Sequence, residues 1–160
     1  MITKETVEKD FKDFFNGAGR KKDYIGDLIV TKTRGLKNCR IQIIDSIPKF
    51  DPLVDQEYGI VKVVFRTSYY EEYKVPIGNA RGFDTLFVIG INRDEKVIEK
   101  VFAIPEKELT GKRFITITKN GQTYQRFKID EKPYVRTYNN IKKGKYSILE
   151  DNDIIIIQDK

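Results

Sequence analysis

The stretch TLFVIGI, Thr85–Ile91, is apolar at nearly every position. Successive side chains of a strand point to opposite faces, so such a run is apolar on both faces and belongs at the centre of a sheet. A second strand is read at Ile60–Thr67. There Val61, Val63 and Phe65 share one face, while Ile60, Lys62, Val64 and Arg66 share the other. With 160 residues, 39% of them hydrophobic, the chain is long enough to bury a core around these strands as a single domain spanning 1–160.

The rest of the chain fits an α+β fold. Thr3 is a plausible N-cap for a helix in which Val7, Phe11, Phe14 and Phe15 fall on one face and Glu5, Glu8, Lys9 and Lys12 on the other, ending at Asn16-Gly17. The segment GAGRKKDYIGD reads as a basic loop without the context of a phosphate-binding loop. Leu28–Thr31 and Arg40–Ile44 are short strands, with a helix as the alternative for the first, and Pro48 and Pro52 bracket a loop carrying Asp51 and Asp55. SYYEEYKVPIGNARGF holds a helical turn or a short strand. Asn92–Glu95 is a turn leading into a strand at Val97–Ile104, which makes a hairpin with the central run. Pro105 opens a short helix closed by Gly111. RFITIT is expected to pair with TYQRFKI through an Asn120-Gly121 turn, and SILEDNDIIIIQ to form a final hairpin around Glu150–Asp153. The expected architecture is an N-terminal helix, a mixed central β-sheet and peripheral hairpins.

Histidine is absent, which excludes Ser-His-Asp and Cys-His catalysis and imidazole-dependent zinc sites. The single cysteine, Cys39, excludes an intramolecular disulfide. Any catalysis therefore rests on carboxylates, Lys, Tyr, Ser or a metal held by oxygen ligands. The N-terminal MITKETVEKDFKDFF is too charged for a signal peptide, and the longest apolar runs are too short to span a bilayer, so a cytoplasmic protein is expected.

Lys and Arg number 30 against 24 Asp and Glu, a net charge of +6 that suits a polyanionic partner, with DNA the leading candidate. Arg20, Lys21 and Lys22, with Lys32, Arg34 and Lys37, form one basic cluster. Lys132, Arg136, Lys142, Lys143 and Lys145 form another, interleaved with Tyr134, Tyr138 and Tyr146. Cations in such clusters contact phosphates, and tyrosines can stack on bases. Arg66, on the charged face of its strand, is a further candidate nucleic-acid contact.

The stretch VDQEYGIVKVVFRTS places Asp55 and Glu57 before a Tyr58-Gly59 turn and a strand carrying Lys62 and Arg66. It resembles the acidic turn and core strand of the PD-(D/E)XK nuclease superfamily, in particular the small nucleases of phages and mobile introns. FDTLFVIGINRDEKVIEKVFAIPEKELTGKRFITIT and YQRFKIDEKPYVRTY are also similar, so the resemblance covers about residues 50–138. It implies a restriction-endonuclease-like core, a phage or mobile-element origin, Mg²⁺ as cofactor if the chain is catalytic, and a homodimer if both DNA strands are cut. Asp55 matches the family's metal-binding aspartate, while Lys62 stands at the second acid and Val64 at the lysine. The resemblance thus implies a DNA-binding protein derived from an endonuclease with a degenerate motif. The alternatives are an active Mg²⁺-dependent endonuclease or a protein-binding inhibitor on the same fold. An active site would draw on Asp55 and Glu57 as metal ligands, with Asp51, Glu71, Glu72, Glu5 or Glu8 as other sources of a carboxylate and Lys62 or Arg66 as a displaced cation.

Overall fold

The computed structural model describes residues 3–15, 29–30, 39–44, 47–50, 53–55, 57–78, 82–151 and 154–159, by backbone alone in the strands at 39–55 and from 151 onward. In chain order the elements are helix α1 (Lys4–Phe15) and strands β1 (Cys39–Ile44), β2 (Ile47–Phe50), β3 (Leu53–Asp55), β4 (Gly59–Thr67), β5 (Glu72–Pro76), β6 (Thr85–Ile91), β7 (Ile98–Pro105), β8 (Phe114–Thr118) and β9 (Lys128–Ile129), then helix α2 (Lys132–Lys142) and strands β10 (Tyr146–Asp151) and β11 (Ile154–Asp159). Short 3-10 turns lie at Glu106–Leu109 and Gln125–Phe127. The class is α+β, as the sequence predicts. The chain packs as two compact units, one made of Met1–Pro52 with Arg136–Lys160 and the other of Leu53–Val135.

The second unit is built on β6, whose seven residues are all buried. It sits in the middle of a five-stranded mixed sheet ordered β3-β4-β6-β7-β9, parallel to β4 from Val61↔Thr85 to Thr67↔Ile91 and antiparallel to β7. A parallel pair needs a crossover. Here the crossover carries β5, which pairs antiparallel with β8 as a separate two-stranded sheet. Tyr73, Val75, Ile77, Ile115 and Ile117 of that segment pack on Leu86, Val88, Phe102 and Ile104, covering one face of the mixed sheet. On the other face Phe87 meets the rings of Tyr58 and Tyr134, and Ile89, Val101 and Ala103 are buried beside it.

Two glycines are required by close approach. At Gly90 the Tyr73 ring lies 2.6 Å from where a Cβ would stand. Gly59 has φ +71°, and a Cβ there would collide with the Asp84 carboxylate. That carboxylate accepts a hydrogen bond from the Ile60 N–H at 2.9 Å, while the Asp84 N–H donates to the Ile60 carbonyl at 2.8 Å, closing the start of the parallel pair.

In the first unit, β10-β11-β1-β2 form an antiparallel sheet. Thr3 caps α1 as expected, its Oγ1 accepting from the Thr6 N–H at 3.2 Å. Val7 and Phe11 are buried, Phe11 packs edge-on against Tyr146, and Phe14 and Phe15 pack edge-on against Tyr138.

Three sequence expectations need correction. TYQRFKI is not the partner of β8. After Gly121 the chain turns through Gln125–Phe127 into β9, which pairs with β7, and Gln125 Nε2 donates to the Thr118 carbonyl at 2.8 Å. β8 is drawn instead to β5, because Ile115 and Ile117 complete the apolar cover of the mixed sheet. Pro48 lies not in a loop but in β2, opposite Ile43 on the edge of its sheet, where a missing N–H is tolerated. Ile29 and Val30 are helical, so there the strand reading gives way to the helix alternative. The basic, tyrosine-rich segment after Glu131 is helix α2: Tyr134, Tyr138 and Ile141 recur at i, i+4 and i+7 on its buried face, and Gly144 at φ +74° follows its end.

Because Tyr73 occupies the space over Gly90, Gly90→Ala should lower the urea midpoint by about 1–3 kcal/mol of stability with little change in m. An unchanged midpoint would show that the ring yields without cost.

Candidate functional site

The acidic turn joins β3 to β4, with Asp55 paired to Gly59 through the backbone and Glu57 exposed in the turn. The Lys62 Nζ donates to the Ile77 carbonyl at 3.0 Å and stands 5.7 Å from the Phe83 ring centroid. Val64 packs against the core beneath β5 and β8. Both side chains therefore belong to the joint between the mixed sheet and its cover. Glu71 and Glu72 follow the far end of β4, separated from Asp55 by roughly 25 Å of strand, too far to share one metal. Asp84 has its carboxylate on the Ile60 N–H. Among the described residues no three acids, cysteines or histidines gather into a group able to hold a metal ion. Asp51 lies outside the described residues, and the backbone alone is described for Asp55.

The cations fall into three sets. Arg20, Lys21 and Lys22, with Lys32, Arg34 and Lys37, lie outside the described residues. Arg66 sits beside Gly90 in the sheet, half-buried on the face that carries Lys62 and Val64, with its Nε enclosed and without a hydrogen-bond partner. Lys132, Arg136, Lys142, Lys143 and Lys145 are all exposed, on α2 and just beyond it. The tyrosines between them are not available for stacking, since Tyr134 and Tyr138 are 4% exposed and act as anchors of the helix. Burial pushes the Tyr138 phenol above its ordinary pKa, and burial with the nearby Glu8 charge does the same at Tyr146.

A feature that the sequence does not advertise lies at the far end of β4. Tyr69 and Glu72 exchange backbone hydrogen bonds at 2.8 and 3.0 Å around a two-residue turn whose central residues, Tyr70 and Glu71, have φ +49° and +64°. Two successive left-handed residues define a type I′ turn, a conformation suited to Asn-Gly. Tyr70 at its tip is 83% exposed, Tyr69 packs against it at 4.3 Å between centroids, and the Arg93 guanidinium stacks on Tyr69 at 4.8 Å.

Glu99 holds this tip in place. It accepts hydrogen bonds from the Tyr73 hydroxyl and from Asn92 Nδ2 at 3.0 Å, and pairs with Lys119 Nζ at 2.7 Å. Tyr73 leads out of the strained turn, and the Lys119 N–H donates to the Glu71 carbonyl. Asn92 opens the turn carrying Arg93, and its Oδ1 accepts from the N–H groups of Asp94 and Glu95. Burial raises the Glu99 pKa, but the hydrogen bonds of Lys119, Tyr73 and Asn92 outweigh it and hold the carboxyl below its ordinary value. Burial first, and Glu99 second, push the Tyr73 phenol far above its ordinary value, so it remains a donor.

Neither the family models nor the curated proteins match this sequence. Among the described residues no helix is long and apolar enough to cross a membrane.

Two outcomes are expected. Glu99 has a depressed folded-state pKa, so its contribution to stability is complete above the unfolded carboxylate value and is lost as pH falls through the folded one. Glu99→Gln should therefore lower the melting temperature at neutral pH and flatten its fall on the acid side. A melting curve with the same acid slope as the parent would refute the role. Replacing Tyr70-Glu71 by Asn-Gly should stabilise the fold by about 1–2 kcal/mol by removing left-handed strain, as read by urea denaturation.

Proposed function

We propose that this protein binds nucleic acid, DNA foremost, through the exposed cationic face of α2 and the residues that follow it. The supporting observation is the distribution of charge: Lys132, Arg136, Lys142, Lys143 and Lys145 are exposed, and no Asp or Glu occurs between Lys132 and Leu149. Tyr134, Tyr138 and Ile141 anchor the opposite side of the helix. From Arg136 to Lys145 the cations have no acidic neighbours in sequence, while Lys132 follows Asp130 and Glu131 at the start of the helix. Such a surface contacts phosphates and positions a duplex without reading its bases. Lys62 and Val64, at the second acid and lysine positions of the nuclease resemblance, here serve the joint between sheet and cover. The reading is accordingly a binding protein of phage or mobile-element type, derived from an endonuclease and acting without cleavage.

Fluorescence anisotropy with short duplexes of unrelated sequence tests this across a salt series. Binding should survive EDTA and weaken steeply with salt. Neutralising two phosphate contacts in Arg136→Gln/Lys143→Gln should weaken every duplex alike and reduce the log-log salt slope by about 2. Unchanged affinity in that variant would remove α2 as the interface. Plasmid cleavage under Mg²⁺ or Mn²⁺ that disappears in Asp55→Ala would replace the binding reading with an enzymatic one.

A further inference from the structure

We propose that the tip formed by the turns at Tyr69–Glu72 and Asn92–Lys96 is a docking surface for a protein partner that presents an arginine or lysine side chain to the Tyr70 ring. The tip lies in the second unit and is independent of the α2 surface.

Three observations carry it. First, Tyr70 and Glu71 hold left-handed backbone conformations that side chains of their size disfavour, and the result is a tyrosine 83% exposed at the apex of a turn. Within the described residues the Tyr70 ring packs on its neighbour Tyr69. Second, the apex is fixed. The Tyr69–Glu72 backbone pair, the Lys119 N–H on the Glu71 carbonyl and the Glu99 hydrogen bonds hold both turns before any partner arrives. A rigid tyrosine loses little conformational freedom on binding, and Tyr and Arg are the residue types that dominate protein–protein contacts. Third, the surrounding charge selects the partner. Arg93 already stacks on the Tyr69 ring, which shows the geometry an incoming cation would adopt on Tyr70. Glu71, Asp94 and Glu95 are exposed on the same two turns with Glu72 half-buried beside them, four acids against the two exposed cations Arg93 and Lys96, which leaves the tip net negative. These acids repel a phosphate backbone and attract a cationic side chain, which favours a protein over a nucleic acid here.

The test uses isotope-labelled full-length protein and, as probe, a blocked peptide with two arginines between glycines, compared with its glutamine counterpart. The arginine peptide should shift the amide signals of residues 69–72 and 92–96 saturably, and the glutamine peptide should not. Tyr70→Ala should weaken the binding about 2- to 5-fold, the value of an exposed cation–π contact. The Asn-Gly replacement of Tyr70-Glu71, which suits the turn and also removes one acid, should weaken the binding more than Tyr70→Ala does. Absent shifts, equal shifts with both peptides, or binding as tight in both variants as in the parent would overturn the proposal. So would a single-stranded oligothymidylate that moves the same signals in the parent and not in Tyr70→Ala, which would assign the tip to a nucleobase.

Discussion

The double-sided burial of β6 is the constraint from which the second unit follows. A strand with seven buried residues requires a neighbour on each edge and apolar cover on each face. β4 and β7 supply the edges. The cover on one face comes from the chain that links the two parallel strands: β5 lies across the sheet on its way from β4 to β6, and β8 joins it later. That arrangement explains the Gly90 requirement, because a cover close enough to exclude water brings the Tyr73 ring onto the sheet backbone. It explains Lys62 as well. A position under the cover but near its margin suits a side chain with an apolar stem, and the ammonium finds a carbonyl at Ile77.

The same close packing creates the polar cluster at the other end. Where the Tyr73 ring passes Gly90, its hydroxyl enters a half-buried region and must be satisfied there. Glu99 accepts that hydroxyl and is itself satisfied by Asn92 and Lys119. A half-buried carboxylate with three donors is stable, whereas one stripped of a donor carries the cost of burial. The network therefore enforces the positions of its members, and two of them begin or end the turns that carry Tyr70 and Arg93. Strain in the Tyr70-Glu71 backbone persists because the network over-determines it.

What was legible in the sequence was whatever repeats locally. The alternation at Ile60–Thr67, the apolar run at Thr85–Ile91, the helical spacing of Val7, Phe11 and Phe14 and the turn at Asn92–Glu95 all signal their structures within a few residues. The partnership of β8 with β5 was not legible, because it is set by a sheet neither strand belongs to, and that demand overrides a strong local Asn-Gly signal. Helix α2 is masked in the sequence by its charge, and the spacing of Tyr134, Tyr138 and Ile141 is the signal that reveals it. The Tyr70-Glu71 turn had no signature, since neither residue favours the conformation it holds. Glu99, flanked by lysine and isoleucine in a strand, gave no hint of its three partners.

The placement of Lys62 also bears on which side chains position 62 can hold. A carboxylate at that position would bring two acceptors together, its own oxygens and the Ile77 carbonyl, in a region where water is scarce. The cover formed by β5 is thus matched to a donor at position 62, and an acid there would require the segment around Ile77 to move. Val64, two residues on, packs its partly buried side chain against the apolar core beneath the same cover. Positions 62 and 64 are thus both shaped by the one cover that lies over them. The two surfaces proposed to bind partners, on α2 and at the aromatic tip, draw on residues other than Lys62 and Val64.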